Sequence, residues 1–327
     1  MKKSVIFRAD GNANIGFGHV IRSLALAEML SDQFDLQFIT KSVLPEIKIL
    51  ILEICNKIIE LPAELNLVDE AEFISTNYLN GSEILILDGY NYDTEYQIKI
   101  KEKKSKLVCI DDIHSYHFVS DVIINHSGGI IKSNYSAETY TNFFLGPEYA
   151  LLRKPFRKAA KNKSMINKME SVFICFGGSD PGDHTLKVLK ECVNKQFFKK
   201  YYIVIGGAYK HEKKLGDFVE NNELNVRLLK GVSAIEMVRT MKKCGVAITP
   251  PSSISMEYLS VGGILFLLVT ANNQNNIYNY YIKNNLALDF KDLKKINKHM
   301  SSAGIEKKNI FDGMQKKRLL KIFNSIK

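Results

Sequence analysis

The chain has 327 residues, 46% of them apolar and 24% charged, and these ordinary values exclude a disordered or membrane-embedded chain. A single hydrophobic core stops growing at about 250–300 residues, so two domains are expected. The net charge is +10, but no basic cluster is interleaved with aromatic side chains, which disfavours a nucleic-acid-binding surface.

The first half of the chain alternates short apolar runs with helical patterns. The run Val5–Phe7 leads into a loop at 10–18 that is rich in glycine and asparagine, and a helical pattern extends from His19 to Leu30. Later apolar runs predict strands at Leu36–Ile39, Ile84–Leu87, Leu107–Ile110 and Val122–Ile124. Strands that alternate with helices predict a parallel sheet with right-handed crossovers.

A basic segment at 153–170 separates this half from a second one of the same kind. There, apolar runs predict strands at Val172–Phe176, Tyr202–Ile205, Val226–Leu229, Val246–Thr249 and Ile264–Val269. We therefore predict an α/β protein with two Rossmann-like domains that face a central cleft, at 1–152 and 171–327, joined by a basic linker. The basic C-terminal end has a helical pattern, and it can alternatively cross back to pack on the first domain.

Five cysteines are scattered along the chain without a Cys-x-x-Cys pair: Cys55, Cys109, Cys175, Cys192 and Cys244. An odd number of scattered cysteines argues against a disulfide framework and a structural zinc site. The N-terminus lacks the long apolar core of a signal peptide, and no apolar stretch reaches the ~18 residues of a membrane span. These features favour a reducing cytoplasm and no integral membrane association.

The loop after the first predicted strand carries Gly16, Gly18 and His19. Glycines at a strand-to-helix turn let the backbone pass close to a ligand, and open α/β folds bind ligands at this sheet edge. A position at a helix N-terminus favours the neutral imidazole that a general base requires, so His19 is a candidate base. A histidine that caps its own turn is the alternative. The loop lacks the dinucleotide pattern, so NAD is not expected.

Two further loops follow predicted strands of the second half. Gly177, Gly178 and Ser179 offer N–H and hydroxyl groups to a pyrophosphate, although they also suit a plain turn. Ser253 lies at a predicted helix start, and Glu257 follows about one turn later. A carboxylate at Glu257 can accept both ribose hydroxyls, or it can merely complement the helix dipole.

Four consecutive amides at 272–275 include Asn273 and Gln274, and such a run suits either sugar hydroxyls and N-acetyl groups or a polar loop. His114 and His117 lie near Asp111 and Asp112, but this loop has no convincing metal-ligand spacing. We therefore expect no metal site.

Taken together, these motifs resemble the UDP-2,4-diacetamido-2,4,6-trideoxy-β-L-altropyranose hydrolases of bacterial pseudaminic acid synthesis. More remotely, they are similar to the UDP-GlcNAc transferase that makes lipid II. The resemblance is carried by seven segments between Phe7 and Asn276: FRADGNANIGFGHVIRSLALA, LILDGYNYD, CIDD, LGPEYALLRKPF, FICFGGSDPGDHTLKVL, SISMEYLSVGG and ANNQNN. Many relatives have Gly-Gly-Ser-Thr where this chain has Pro251-Ser252-Ser253-Ile254-Ser255, so the pyrophosphate contacts are a point of departure.

The resemblance implies a GT-B-like fold, UDP held mainly by the C-terminal domain, and no cofactor or metal. It implies inverting hydrolysis of a UDP-sugar at the anomeric carbon, which releases UDP and the free hexose. The family's active-site histidine corresponds to His19, its Asp-x-Tyr tyrosine to Tyr90, its UDP-binding glutamate to Glu257, and its amide motif to Asn273 and Gln274. An inverting GT-B glycosyltransferase and a non-catalytic nucleotide-sugar sensor are the alternatives, since fold alone does not separate them.

Overall fold

The computed structural model of the chain describes residues 2–12, 16–41, 43–163, 166, 168–296 and 310–326. They form two compact units. Unit 1 comprises Met1–Lys154 and Met314–Lys327, and unit 2 comprises Pro155–Gly313.

Unit 1 is built on a seven-stranded sheet in which every described pair of neighbouring strands is parallel. Its strands are β1 (Ser4–Ala9), β2 (Asp35–Thr40), β3 (Lys57–Glu60), β4 (Ile84–Asp88), β5 (Lys106–Ile110), β6 (His117–Phe118), β7 (Val122–Asn125), β8 (Ser136–Ala137) and β9 (Asn142–Leu145). The order in the sheet is β3-β2-β1-β4-β5-β7-β9, and β6 pairs with β8 separately. Central strands such as β1 and β4 are buried on both faces and mostly apolar, as a parallel sheet covered by helices requires, with Arg8 and Asp88 as the charged exceptions.

Among its described residues, unit 1 has four α-helices in its N-terminal part, and side-chain caps mark the start of two of them. They are α1 (Gly18–Leu30), α2 (Pro45–Leu52), α3 (Leu67–Tyr78) and α4 (Thr94–Lys101). Asn66 accepts a hydrogen bond from the Asp69 N–H at the start of α3, and Asp93 accepts one from the Tyr96 N–H at the start of α4. Each cap satisfies a backbone donor that the helix itself leaves unpaired.

Unit 2 repeats this architecture with a six-stranded parallel sheet of order β12-β11-β10-β13-β14-β15. Its strands are β10 (Ser171–Ile174), β11 (Lys200–Ile205), β12 (Val226–Lys230), β13 (Val246–Thr249), β14 (Ile264–Leu267) and β15 (Leu288–Asp289). Its helices are α5 (Lys154–Lys161, whose first residue closes unit 1), α6 (His184–Asn194), α7 (Glu212–Asn221), α8 (Ala234–Met241), α9 (Ser253–Val261) and α10 (Asn275–Lys283). Numbered from its first strand, the sheet has the order 3-2-1-4-5-6 of dinucleotide-binding folds.

In both units the strand order reverses beside the first strand. β1 lies between β2 and β4, and β10 lies between β11 and β13. Open α/β sheets bind ligands outside the carboxyl ends of the strands at this switch point, because the flanking loops diverge there. Each unit therefore has one expected binding edge.

The predicted fold class of two Rossmann-like domains is confirmed, and the predicted strands agree with the structure within two residues at each end. The short strands that the sequence analysis missed are mainly at or near sheet edges: β3, β9 and β15. The apolar run of β3 is only two residues long, and the exposed side chains of an edge strand carry little periodic signal.

The predicted domain boundary differs from the structure at two points. The segment 153–170 is not simply a linker, because it contains α5, which buries Phe156 and Ala160. The C-terminal residues 314–327 belong to unit 1 and not to unit 2. They form α11 (Gln315–Ser325), which buries Leu319, Ile322 and Phe323 in the core beside α1. These three residues lie on one helical face, so burial of that face decides where the helix packs.

All five cysteines are buried and unbonded. In the described part of the chain, no helix combines the length and the apolar character needed to cross a bilayer.

Candidate active site

His19 and Asp88 form a buried pair at the switch point of unit 1. His19 is the second residue of α1, and Asp88 is the last residue of β4, the strand beside β1. The Nδ1 atom of His19 lies 2.7 Å from Oδ1 of Asp88, which is fully buried. Burial by itself raises the pKa of Asp88, but the charges and hydrogen bonds of Arg22 and His19 lower it to about 2. Asp88 is therefore a carboxylate at neutral pH.

The ionised state of Asp88 decides which imidazole nitrogen carries the proton. A carboxylate accepts hydrogen bonds only, so Nδ1 of His19 donates to it. The Arg22 Nη2 atom is 3.1 Å from the same Nδ1, but a guanidinium only donates, so this approach is not a hydrogen bond. The Nε2 atom is left to accept a proton. In this geometry Asp88 can orient the ring and can stabilise an imidazolium, as the acidic member does in a catalytic triad.

Arg22 holds this pair in place. Its guanidinium donates to both oxygens of Asp88 at 2.6–2.9 Å and to Oδ2 of Asp112 at 2.9 Å. The hydroxyl of Ser23 donates to Asp88 Oδ2 at 2.9 Å. His19, Arg22 and Ser23 are spaced i, i+3 and i+4, so one face of α1 supplies all three groups.

Tyr90 packs against His19 on another side of the His19–Asp88 pair. Its ring contacts the ring of His19 edge-on, with centroids 4.6 Å apart, and its hydroxyl donates to Asp112 Oδ2 at 3.3 Å. The structure therefore brings together the predicted residues His19 and Tyr90. Gly16 precedes them with a φ of +78°, a conformation that favours glycine, and Gly18 opens α1. Residues 13–15 of the predicted loop lie outside the described residues.

A second charged network lies at the carboxyl ends of β1 and β2. Arg8 is 1% exposed, and its guanidinium donates to both oxygens of Asp10, at 2.5 and 2.7 Å, and to Glu70 Oε1 at 2.7 Å. Lys41 Nζ lies 2.6 Å from Glu70 Oε2. Burial by itself raises the pKa of Asp10 and of Glu70, but their contacts with Arg8 lower both below the usual range.

One cavity joins the two groups of residues. It has a volume of about 310 Å³ and is lined by residues of both, together with neighbouring loop residues: Arg8, Asp10, His19, Lys41, Leu67, Glu70, Asp88, Gly89, Tyr90, Asn91 and Tyr92. Its position beside β1 and β4 is where the topology predicts a ligand. A polar group bound there lies against a histidine whose Nδ1 is held by a carboxylate.

In unit 2, the predicted glycine loop follows β10 at the switch point. Gly177 has a φ of +86° and is exposed, while Gly178 and Ser179 are half-buried. Asp180 is buried, and its carboxylate accepts hydrogen bonds from the N–H groups of His184 and Thr185 at the start of α6. Because Asp180 occupies these two helix donors, they are not available to an anion, and the loop residues 177–179 remain the candidate donors beside β10.

The second predicted motif of unit 2 follows β13, the neighbour of β10. Ser252 precedes α9, and Ser253 is its first residue. The hydroxyl of Ser255 accepts from the Ser252 N–H at 3.2 Å and donates to the Ser252 carbonyl at 2.6 Å. Glu257 is the fifth residue of α9 and is 5% exposed. It lies past the first turn and in the interior, which disfavours a role limited to complementing the helix dipole.

The amide motif follows β14 and forms a 3₁₀ turn, Asn272–Gln274. Gln274 Oε1 accepts from the Thr270 N–H at 2.8 Å, and its Nε2 donates to the Thr270 hydroxyl at 3.1 Å. Gln274 therefore stabilises its own turn, and Asn273 is the exposed member of the predicted pair. The predicted residues of unit 2 thus follow three neighbouring strands, β10, β13 and β14.

The two loop histidines have separate surroundings. The imidazole of His117 contacts the Ser136 hydroxyl at 2.8 Å and Glu138 at 3.2 Å. The backbone N–H of His114 donates to the Asp111 carboxylate at 2.8 Å. Among the described residues, no three His, Cys, Asp or Glu side chains are grouped as metal ligands.

No role was predicted for Arg22, Ser23, Arg8, Lys41 or Glu70, and Asp112 was considered only as a neighbour of two histidines. The signal for Arg22 and Ser23 was present, since polar residues three and four positions after His19 share its helical face. Lys41 and Glu70 had no such local signal, because they are brought together only by the packing of α3 near the end of β2.

No protein-family model matches the chain. It is 28% identical over 295 residues to an uncharacterized protein of Methanocaldococcus jannaschii, covering 86% of this chain and spanning only 58% of that protein. It is 27% identical over 296 residues to the UDP-2,4-diacetamido-2,4,6-trideoxy-β-L-altropyranose hydrolase of Campylobacter jejuni, covering 88% of this chain and 99% of that one. The resemblance to this hydrolase is thereby confirmed.

Solved structures confirm the fold. MurG of Acinetobacter baumannii has a TM-score of 0.62 at 9% identity, covering 99% of this chain and 100% of that one. HepE of Anabaena, solved with UDP and glucose, has a TM-score of 0.58 at 12% identity, covering 99% and 100%. The chain has a GT-B-like fold with two Rossmann-like domains.

Proposed function

We propose that the chain is a hydrolase that cleaves a UDP-2,4-diacetamido-2,4,6-trideoxyhexose of the altrose type, with inversion, in the synthesis of a pseudaminic-type nonulosonic acid. The observation that carries the proposal is the His19–Asp88 pair on the wall of the unit 1 cavity. The Campylobacter jejuni relative of that name, which the chain matches over 99% of its length, supports the choice of substrate.

The pair supplies the base that the reaction needs. Inverting hydrolysis requires a group that takes a proton from water as the water attacks the anomeric carbon. In the proposed step His19 Nε2 takes that proton, the new carbon–oxygen bond forms, and the bond to UDP breaks with its electron pair on the leaving phosphate. Arg22 keeps Asp88 ionised and in position throughout.

Unit 2 supplies UDP binding in this proposal. The loop 177–179 and Ser253 donate hydrogen bonds to the pyrophosphate, because backbone N–H groups and hydroxyls suit an anion. The buried carboxylate of Glu257 accepts hydrogen bonds from the ribose hydroxyls, and a charged acceptor makes such bonds stronger than a neutral one does. No metal or other cofactor takes part in the proposed step.

Product analysis tests the proposal. The purified chain is incubated with the UDP-2,4-diacetamido sugar alone in the presence of EDTA, UDP is quantified, and the anomeric configuration of the free sugar is followed by NMR. We expect UDP release without an acceptor and an inverted sugar. Release that requires an added acceptor would indicate a glycosyltransferase, and tight binding without turnover would indicate a sensor. Loss of activity in EDTA that one divalent ion restores would contradict the metal-free step.

A further inference from the structure

The proposed reaction uses the His19 side of the unit 1 cavity and leaves its other charged wall without a role. That wall consists of Arg8, Asp10, Lys41 and Glu70, which all line the cavity. Asp10 follows β1 and Lys41 follows β2, so two neighbouring strands present them at the same carboxyl edge.

Buried contacts fix the positions of the side chains in this charged wall. Arg8 binds both oxygens of Asp10 and Oε1 of Glu70, and its guanidinium lies 5.5 Å from the centroid of the Tyr92 ring. Tyr96 donates to Glu70 Oε1 at 2.9 Å. Arg8 and Glu70 are almost completely buried, with side chains 1% and 0% exposed. They can orient their partners but offer little surface to a ligand.

Asp10 and Lys41 are the accessible members. Their side chains are 26% and 18% exposed, respectively. Lys41 Nζ contacts Glu70 Oε2 at 2.6 Å and the Leu65 carbonyl at 2.7 Å, and the Lys41 backbone N–H donates to Asp10 Oδ1 at 2.7 Å. An ammonium has three N–H groups, and these two contacts use two of them within the described residues.

Stability alone does not account for such a wall. Replacing a buried ion pair by apolar residues of similar volume is often neutral or stabilising, so a buried network is weak evidence for a structural role. The wall carries two positive and two negative groups and is therefore balanced in charge, which does not favour a pyrophosphate. It suits a neutral group that accepts one hydrogen bond and donates another.

An acetamido substituent has this chemistry, because its carbonyl accepts and its N–H donates. We propose that Lys41 and Asp10 determine specificity by binding an acetamido group of the sugar, with Lys41 donating to the carbonyl and Asp10 accepting from the N–H. Arg8 and Glu70 are positioning residues for this pair. The inference rests on the proposed function for the class of sugar.

A binding cycle tests the pair without requiring turnover. Affinity is measured by calorimetry in the His19→Asn background, which keeps the ligand from being hydrolysed during the titration, with and without Lys41→Met. The ligands are the UDP-2,4-diacetamido sugar and two analogues that carry a hydroxyl in place of the 2- or the 4-acetamido group. We expect Lys41→Met to weaken binding of the diacetamido sugar about 5- to 100-fold, as loss of a charged hydrogen bond does. For one of the two analogues we expect the same substitution to have no effect, because that analogue lacks the group that Lys41 binds.

Equal weakening for all three ligands would show a merely structural role, and no weakening for any would show that Lys41 does not contact the sugar; either result overturns the inference. Lys48→Met, which removes a surface lysine paired with Glu60, is the matched control and should change none of the affinities. If Lys41→Met fails to fold, Lys41→Gln repeats the cycle with a neutral donor. If the wild type binds the sugar but releases no UDP, the hydrolase proposal is contradicted. The binding cycle still tests the role of Lys41 in that case.

Discussion

The two binding edges share a topology and differ in chemistry. In unit 1, the loops beside β1 and β4 surround buried charged side chains, with Arg8 and Arg22 each bound to two carboxylates. In unit 2, the loops beside β10 and β13 carry glycines, serines and the buried carboxylate of Glu257. The same strand order thus decides where a ligand binds, whereas the loop residues decide which chemistry is available.

The difference has an electrostatic consequence. A buried guanidinium stabilises ionised carboxylates, and those in turn can orient a histidine, so the unit 1 edge suits proton transfer. Backbone N–H groups and hydroxyls carry partial positive charge without a counter-ion, so the unit 2 edge suits an anion. The comparison predicts that substitutions in unit 1 change catalysis and substitutions in unit 2 change nucleotide affinity.

The largest expected effect comes from His19→Asn, which keeps some size and polarity but removes the base. We expect kcat to fall by about 10²–10⁴, the usual contribution of a general base, while UDP affinity stays near wild type. Steady-state kinetics and calorimetry with UDP measure the two effects. His117→Asn, which changes a histidine outside the cavity, is the control. Retention of more than about a tenth of the wild-type kcat would mean that the base lies elsewhere.

Arg22→Met tests whether the unit 1 network depends on its guanidinium. Removal of one partner from a buried charge pair costs about 3–5 kcal/mol, because Asp88 is left ionised in the interior. Hydrogen exchange should therefore show faster exchange in β1 and β4 and unchanged exchange in the unit 2 sheet. Arg239→Met changes an exposed arginine of α8 and should have little effect. Equal protection of the unit 1 amides from hydrogen exchange in Arg22→Met and Arg239→Met would contradict the role assigned to Arg22.

The lowered pKa of Asp88 predicts an acid-sensitive unit 1. Its pKa is about 2 in the folded chain and about 3.9 when unfolded, so the folded state binds the proton less readily. The stabilisation is fully present above about pH 5 and is lost as the pH falls from about 4 to 2, with a magnitude of about 2–3 kcal/mol. Hydrogen exchange at pH 5 and pH 3 should show a loss of about half of this stabilisation. Asp88→Asn should reduce the difference in unit 1 hydrogen exchange between pH 5 and pH 3. An unchanged difference would show that other groups cause it.

Glu257→Ala gives the smallest expected effect and tests the unit 2 side of the comparison. Loss of a charged acceptor for the ribose hydroxyls should weaken UDP binding by about 1–3 kcal/mol. Calorimetry with UDP alone measures the change, and Glu220→Ala, an exposed position of α7, is the control. Unchanged affinity in a folded variant would indicate that Glu257 only stabilises α9.

Much of the unit 1 site could be predicted from local sequence. The glycine loop, the start of α1 and the position of His19 within it were all expected. The contact between His19 and Asp88 was not predictable, because 69 residues separate them and their meeting depends on β4 lying beside β1.

Local sequence was sufficient for the alternation of strands and helices, the two Rossmann-like halves and the loops that carry candidate ligand groups. These features depend on hydrophobic periodicity and turn residues, which act over short distances along the chain. Three other features become visible only in the folded chain: α11 packs in unit 1, Arg22 joins Asp88 to Asp112, and Lys41 meets Glu70. Each of these depends on which buried surfaces pack together, and that choice is made by the whole core because no single segment can bury its apolar face alone.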